Sequence, residues 1–179
     1  MSFPVAQLWV GMGLSLAAVA VVMAVSFVIG AATGKYSIID AVWGPGFVVI
    51  AAVSFLSSIG RGDTALRLIL LVTVAIWGLR LGGYILLRNH GLPEDPRYVK
   101  MLQGHSKLRI VGKVQVPQGL TMWFVSIPVQ VGMLISGPTR WVLYLGVLVW
   151  VAGSFLNAAS CASPRPSKSM PTTHTSTPR

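Results

Sequence analysis

Apolar residues in this chain come in blocks long enough to cross a lipid bilayer, and no other feature restricts the fold as much. A spanning helix needs about 20 predominantly apolar residues to cross about 30 Å of hydrocarbon. Five blocks approach that length: about Ala6–Ala31, Ser37–Leu56, Leu66–Leu87, Gln118–Ile135 and Trp141–Leu156. The expected fold is therefore all-α, a polytopic integral membrane helix bundle with five transmembrane helices. Composition agrees. The chain is 10% charged and 54% hydrophobic, whereas a soluble domain carries about 25% charged residues. The first block has no basic residues before it, so it reads as a retained span rather than a cleaved signal peptide.

The cations set an orientation. Arg88, Arg97, Lys100, Lys107, Arg109 and Lys113 fall between spans three and four, in a loop expected over residues 88–117. The positive-inside rule makes that loop cytoplasmic, with the N-terminus outside and the C-terminus inside. Lys35, Arg165, Lys168 and Arg179 then also lie inside, whereas Arg61, Arg67 and Arg140 lie outside. A net charge of +10 arises from this loop and the tail, so topology and anionic lipid explain it without nucleic acid. Trp9, Trp141 and Trp150 suit the interfacial aromatic belt. Residues 1–158 form the expected bundle; residues 159–179, rich in Ser, Thr and Pro, are expected to be a disordered tail. The single cysteine, Cys161, excludes an intrachain disulfide.

Arg80 is the residue that lipid does not account for. It lies inside the third span, where an arginine costs about 3 kcal/mol on insertion scales. Trp77, Tyr84 and Arg88 stand three before, four after and eight after it, so helical spacing places all four on one face. Asp40 begins the second span, with Trp43 and Phe47 on its face and the Gly44-Pro45-Gly46 break beside it. Counted from the cytoplasmic ends, Asp40 is about 5 Å deep and Arg80 about 10 Å deep at 1.5 Å per residue. Two readings follow: Asp40 and Arg80 neutralise each other as helix glue, or Arg80 receives an anion from the cytoplasm. Asp40 also suits a plain helix-start cap.

The segment Arg88–Tyr98 (RNHGLPEDPRY) reads either as a solvated loop with local ion pairs or as a mouth where Arg88, Arg97 and Tyr98 hold the phosphates and adenine of a dinucleotide. In span four, Gln130 suits a hydrogen bond to another helix or, as the alternative, a contact to substrate, and Pro128 suits a bend. No glycine-rich dinucleotide fingerprint, P-loop, metal-ligand spacing or nucleophile–base arrangement is visible.

Taken in order, these motifs resemble bacterial membrane proteins related to the steroid 5-alpha-reductases. The match rests on Asp40, Trp43-Gly44, Gly46-Phe47, Trp77-Gly78-Leu79-Arg80-Leu81, Tyr84, Arg88-Asn89, Gly91, Glu94-Asp95-Pro96-Arg97-Tyr98, Trp123, Ser126, Pro128 and Gln130, between about Ile38 and Leu156. The resemblance implies a seven-helix bundle in the bacterial inner membrane, in the orientation that the cations give. It implies NADPH-dependent reduction of a carbon–carbon double bond conjugated to a ketone, in a lipid or steroid-like substrate. Carried over residue by residue, it makes Asp40 and Tyr84 catalytic, Arg80, Arg88, Arg97 and Tyr98 cofactor-binding, and Trp43 and Trp77 substrate-facing. Two departures matter. Trp77 stands where the ketone-polarising tyrosine falls, and an indole cannot act as that acid, which leaves Tyr84 as the hydroxyl donor on the same face. The two further helices and the His-Pro-x-Tyr stretch that follow span five in those reductases are missing, so a truncated and inactive form is expected. The alternatives are a non-catalytic membrane protein or remnant, and a transporter fragment, against which the lack of repeated halves counts.

Overall fold

A computed structural model describes residues 4–102, 111–136 and 140–162. The chain divides into two units, residues 1–143 and 144–179. The first holds α1 (Val5–Thr33), α2 (Ile38–Ser57), α3 (Thr64–Asn89), the short α4 (Pro96–Leu102), a π-helical turn (Val111–Gln115), α5 (Val116–Val125) and α6 (Ile127–Gly132). The described part of the second continues α7 (Arg140–Ala162). The described residues are helical and include no strand, so the all-α membrane bundle stands.

Among the described residues, three helices are long and apolar enough to cross a membrane: α1, α2 and α3. The fourth expected span differs in its limits and its form. Among the described residues the chain is already helical at Val111, ahead of the expected Gln118, in a π turn that leads into α5, and it breaks at Ser126 before α6. Pro128, at the start of α6, has no N–H to continue the ladder of α5. The fifth, α7, runs to Ala162, past Leu156 and into the stretch expected to be tail; of its apolar residues, Tyr144–Phe155 are among those described. The rest of the tail, like Lys107 and Arg109, lies outside the described residues.

Two glycine-rich surfaces set how α2 and α3 meet. A Cβ on Gly78 would stand 2.5 Å from the Gly44 carbonyl oxygen, and one on Gly82 would stand 2.6 Å from Pro45 Cδ. Only backbone fits between these helices, so they approach closely along Gly44, Gly78 and Gly82. α1 packs on the other side of the bundle through Ser15, Val19, Met23, Ser26 and Gly30. Its two buried serines reach α6 and the π turn: Ser15 Oγ donates to Gln130 Oε1 at 2.8 Å, and Ser26 Oγ donates to Gln115 Oε1 at 3.1 Å. Gln130 therefore does what a polar residue in a span is expected to do, bonding to another helix. Trp123 Nε1 adds a donor to Met12 O at 3.1 Å.

α2 is held at both ends by charged side chains from elsewhere. The Glu94 carboxylate accepts from the backbone N–H groups of Tyr36 and Ser37 (3.2 Å) at the helix start, and from that of Asp95 (2.9 Å) in its own loop. At the other end Arg67, only 4% exposed, donates from Nη2 to Phe55 O at 2.6 Å and lies 4.6 Å over the Phe55 ring. An anion at the N-terminus and a cation at the C-terminus both match the helix macrodipole.

Candidate functional site: the inner mouth and the outward face of α3

Residues 91–98 fold back over the start of α2 as a largely exposed strap, and within it Tyr98 alone is buried. Gly91 turns the chain with φ +76°. Lys35 Nζ donates to Leu92 O at 2.6 Å, Glu94 caps α2, and α4 then brings Tyr98 inward. Tyr98 is 5% exposed and donates its hydroxyl to Asp40 Oδ1 at 2.8 Å. Burial, and then the adjoining Asp40 carboxylate, push the Tyr98 pKa well above the ordinary tyrosine value. Arg97 donates to Asp95 at 2.8 Å and comes within 3.9 Å of Asp40. That pairing holds the Asp95 carboxyl below its usual range, chiefly through the Arg97 side-chain and backbone N–H groups.

This arrangement corrects two expectations. Asp40 does not pair with Arg80; its partners are Tyr98 and Arg97. Nor is Tyr98 a free ring available for stacking, since it belongs to the buried core. The local Asp95–Arg97 pair was foreseen. The role of Glu94 was not, because the α2 groups it caps, the Tyr36 and Ser37 N–H, are nearly sixty positions away, which no spacing rule reaches.

A cavity of about 550 Å³ opens beneath this strap. Lys35, Arg88, His90 and Arg97 bring basic groups to its lining, and Asp40 and Asp95 bring acidic ones. Arg88, exposed, touches Asn89 Oδ1 at 3.5 Å and stands 5.9 Å from the Tyr84 ring.

The expected face of α3 is partly kept. Arg80, Tyr84 and Arg88 are all exposed and succeed one another at four-residue steps, so they form one stripe. At about 100° per residue, Arg80 lies about 160° from Gly78 and Gly82, the glycines that seat α3 on α2. Arg80 thus points away from α2, and among the described residues it has no hydrogen-bond or ion-pair partner. Trp77 leaves the stripe. It packs edge-on against Phe47 with centroids 5.7 Å apart, and Trp43 lies 6.0 Å from the same ring. Trp43 Nε1 also donates to Gln118 Oε1 at 2.5 Å. Both tryptophans, expected to face substrate, instead pack against the core cluster between helices.

The expected third span already includes Arg67 at its outer end, but as an outward cation; its burial, at 4% exposure, was not expected. Arg67 stands four residues after Asp63, which caps α3 through a 3.0 Å bond from Leu66 N, so it lies in the first turn of that helix, within reach of the end of α2. Among the described residues no group of His, Cys, Asp and Glu is placed to hold a metal.

No curated protein and no solved structure matches this chain. A family pattern does, over residues 26–176, which extends beyond both ends of the Ile38–Leu156 stretch on which the reductase resemblance rests. The chain, an all-α membrane-type protein, therefore belongs to the DUF1295 family, described as a protein of unknown function.

Proposed function

We propose that this chain carries part of a membrane-embedded, NADPH-dependent reductase acting on a lipid or steroid-like enone. One observation carries the reading: Arg80 lies exposed within an apolar span, without a partner among the described residues, on a single stripe with Tyr84 and Arg88. A cation so placed calls for an anion from outside the described bundle. The residues present fit a phosphate-bearing cofactor. Arg88 links the stripe to the basic lining of the mouth cavity, and guanidinium groups pair bidentately with phosphate. Arg80 and Arg88 would hold phosphate groups, and Arg97, with one flank on Asp95, would present its exposed edge to the same ligand.

NADPH, when bound, supplies the hydride. This chain's own residues do the rest. Tyr84, 41% exposed between the two arginines, offers the hydroxyl that donates to the enone oxygen as negative charge develops there. Asp40 is a positioning residue: by holding Tyr98 and Arg97 it fixes α4 against the mouth. Trp43, Phe47 and Trp77 brace α2 against α3, so the stripe sits on a rigid helix pair.

The second reading is a membrane protein without catalysis. The mutual bond of Asp40 and Tyr98 favours it, since two expected site residues already satisfy each other. Fluorescence titration of the purified protein in detergent with NADPH, and with NADH as control, separates the two. Saturable binding that weakens in Arg80→Leu while the protein stays monodisperse supports the reductase reading. A folded protein that binds neither nucleotide overturns it.

A further inference from the structure

Arg97 lines the mouth cavity, yet its charge is already neutralised there. Its Nε donates to both Asp95 carboxylate oxygens at 3.2 Å, and its Nη2 donates to Asp95 Oδ2 at 2.8 Å. The same Nη2 stands 3.9 Å from Asp40 Oδ2. One cation and two carboxylates sum to −1, so an anion entering the cavity is repelled at this corner rather than drawn in. The other cations of the lining differ. Lys35 donates to the Leu92 carbonyl, Arg88 touches the Asn89 amide oxygen, and neither pairs with a carboxylate among the described residues.

Of these three side chains, Arg97 is the one built to move. The Asp95 N–H donates to Glu94, its carbonyl accepts from Tyr98 N at 2.9 Å and Val99 N at 3.1 Å, and its Oδ1 accepts from the Arg97 backbone N–H at 2.8 Å. Asp40 sits in α2 and holds the Tyr98 hydroxyl. The Arg97 side chain is 78% exposed, and ion pairs that exposed contribute little to stability. Its departure strands neither carboxylate: Asp40 keeps the Tyr98 hydroxyl, and Asp95 keeps the Arg97 backbone N–H.

We propose that Asp95 is a specificity-determining residue of the mouth: it occupies the edge of Arg97 that an entering anion needs, so that a phosphate group displaces it and a carboxylate does not. The proposal rests on the reading of the mouth as a phosphate site. A carboxylate ligand offers the same single charge and two oxygens that Asp95 already supplies, so exchanging one for the other gains nothing. A phosphate group carries up to about −2 and three acceptor oxygens. It can engage the Arg97 fork while it also pairs with Lys35 or Arg88 on the same lining.

The test is a scintillation-proximity assay on the full chain in detergent, with radiolabelled inorganic pyrophosphate as the probe and unlabelled pyrophosphate or malonate as competitor. Asp95→Asn removes the charge and keeps the acceptor that bonds the Arg97 N–H. Asp95→Ser also keeps an acceptor and replaces it if the asparagine variant does not fold. In the parent chain pyrophosphate is expected to compete far better than malonate. In Asp95→Asn malonate should gain several-fold and the preference for pyrophosphate should shrink. The shrinkage should vanish in an Arg97→Gln background, because it acts through that guanidinium. Equal gains for both competitors, or the same shrinkage without Arg97, would reduce Asp95 to a general negative charge and overturn the proposal. So would a folded chain that binds no pyrophosphate with or without Asp95. NADPH titration of the same preparations keeps the two readings apart. The expected pattern in a chain that does not bind NADPH leaves the selectivity standing and removes the reductase. NADPH binding with an unchanged preference in Asp95→Asn does the reverse.

Discussion

Tyr98 on α4 and Asp40 on α2, 58 residues apart, meet in a 2.8 Å hydrogen bond that ties the inner strap to the start of a membrane span. Tyr98 is the buried partner and the carboxylate is the acceptor. Tyr98→Phe keeps the ring and removes the donor, leaving Asp40 with Arg97 at 3.9 Å. Hydrogen bonds to charged groups contribute about 1.5–3 kcal/mol. The expected result is a loss near the low end of that range, read from thermal melting in detergent, with Asp40→Asn costing less because it keeps an acceptor.

The same bond has a pH signature. The pKa of Tyr98 is raised on folding, so the folded chain holds a proton that the unfolded chain releases. Stability from this group is fully present below the ordinary tyrosine value of about 10 and falls as pH rises beyond it. Melting temperatures across the alkaline range should decline more steeply in the native chain than in Tyr98→Phe. Parallel declines would show that Tyr98 is not the titrating group.

Glu94 caps α2 from a distant loop. Removing its acceptors in Glu94→Ala is expected to cost about 1 kcal/mol, the usual value of a helix cap, and to speed hydrogen exchange at the Tyr36, Ser37 and Asp95 amides it holds. Exchange elsewhere in α2 should change little. Unaltered exchange at those amides would remove the cap from the account.

Two α3 glycines should respond in opposite directions to the same substitution. Gly78→Ala pushes a methyl to 2.5 Å from the Gly44 carbonyl, and overpacking of that kind costs about 1–3 kcal/mol. Nothing lies within 4 Å of a Cβ on Gly83, so Gly83→Ala should stabilise the helix by about 0.5–1 kcal/mol. Thermal melting of the pair against the parent decides it.

Arg80→Leu should improve membrane insertion, since an arginine at a span centre costs about 3 kcal/mol on insertion scales and no described residue compensates it. Folded yield should hold or rise while any NADPH affinity falls. A drop in yield with no change in affinity per folded molecule would identify Arg80 as helix glue.

Much of this was legible in the residues alone. Hydropathy and length place α1, α2 and α3 within a few positions of their observed ends, because a span's composition is imposed by the solvent around it. Four-residue spacing similarly puts Arg80, Tyr84 and Arg88 on one stripe, since helical periodicity is local. Where local order changes type, as at the π turn and the Ser126 break, the limits moved: Pro128 and the buried polar residues Gln115 and Gln130 adapt the helix to its neighbours.

Residue order alone is enough to make the chain a helical membrane protein and to put one arginine in a span without an evident reason. The tertiary structure alone decided which charges meet. Asp40 and Arg80 have complementary signs and similar depths, yet Gly78 and Gly82 turn the opposite face of α3 toward α2 and aim Arg80 outward. The fold-back of residues 91–98 then brings Tyr98 and Arg97 to Asp40. Charge and depth can be read one helix at a time. Rotation about the helix axis is set by which surface has no side chains in the way, and that depends on two helices at once.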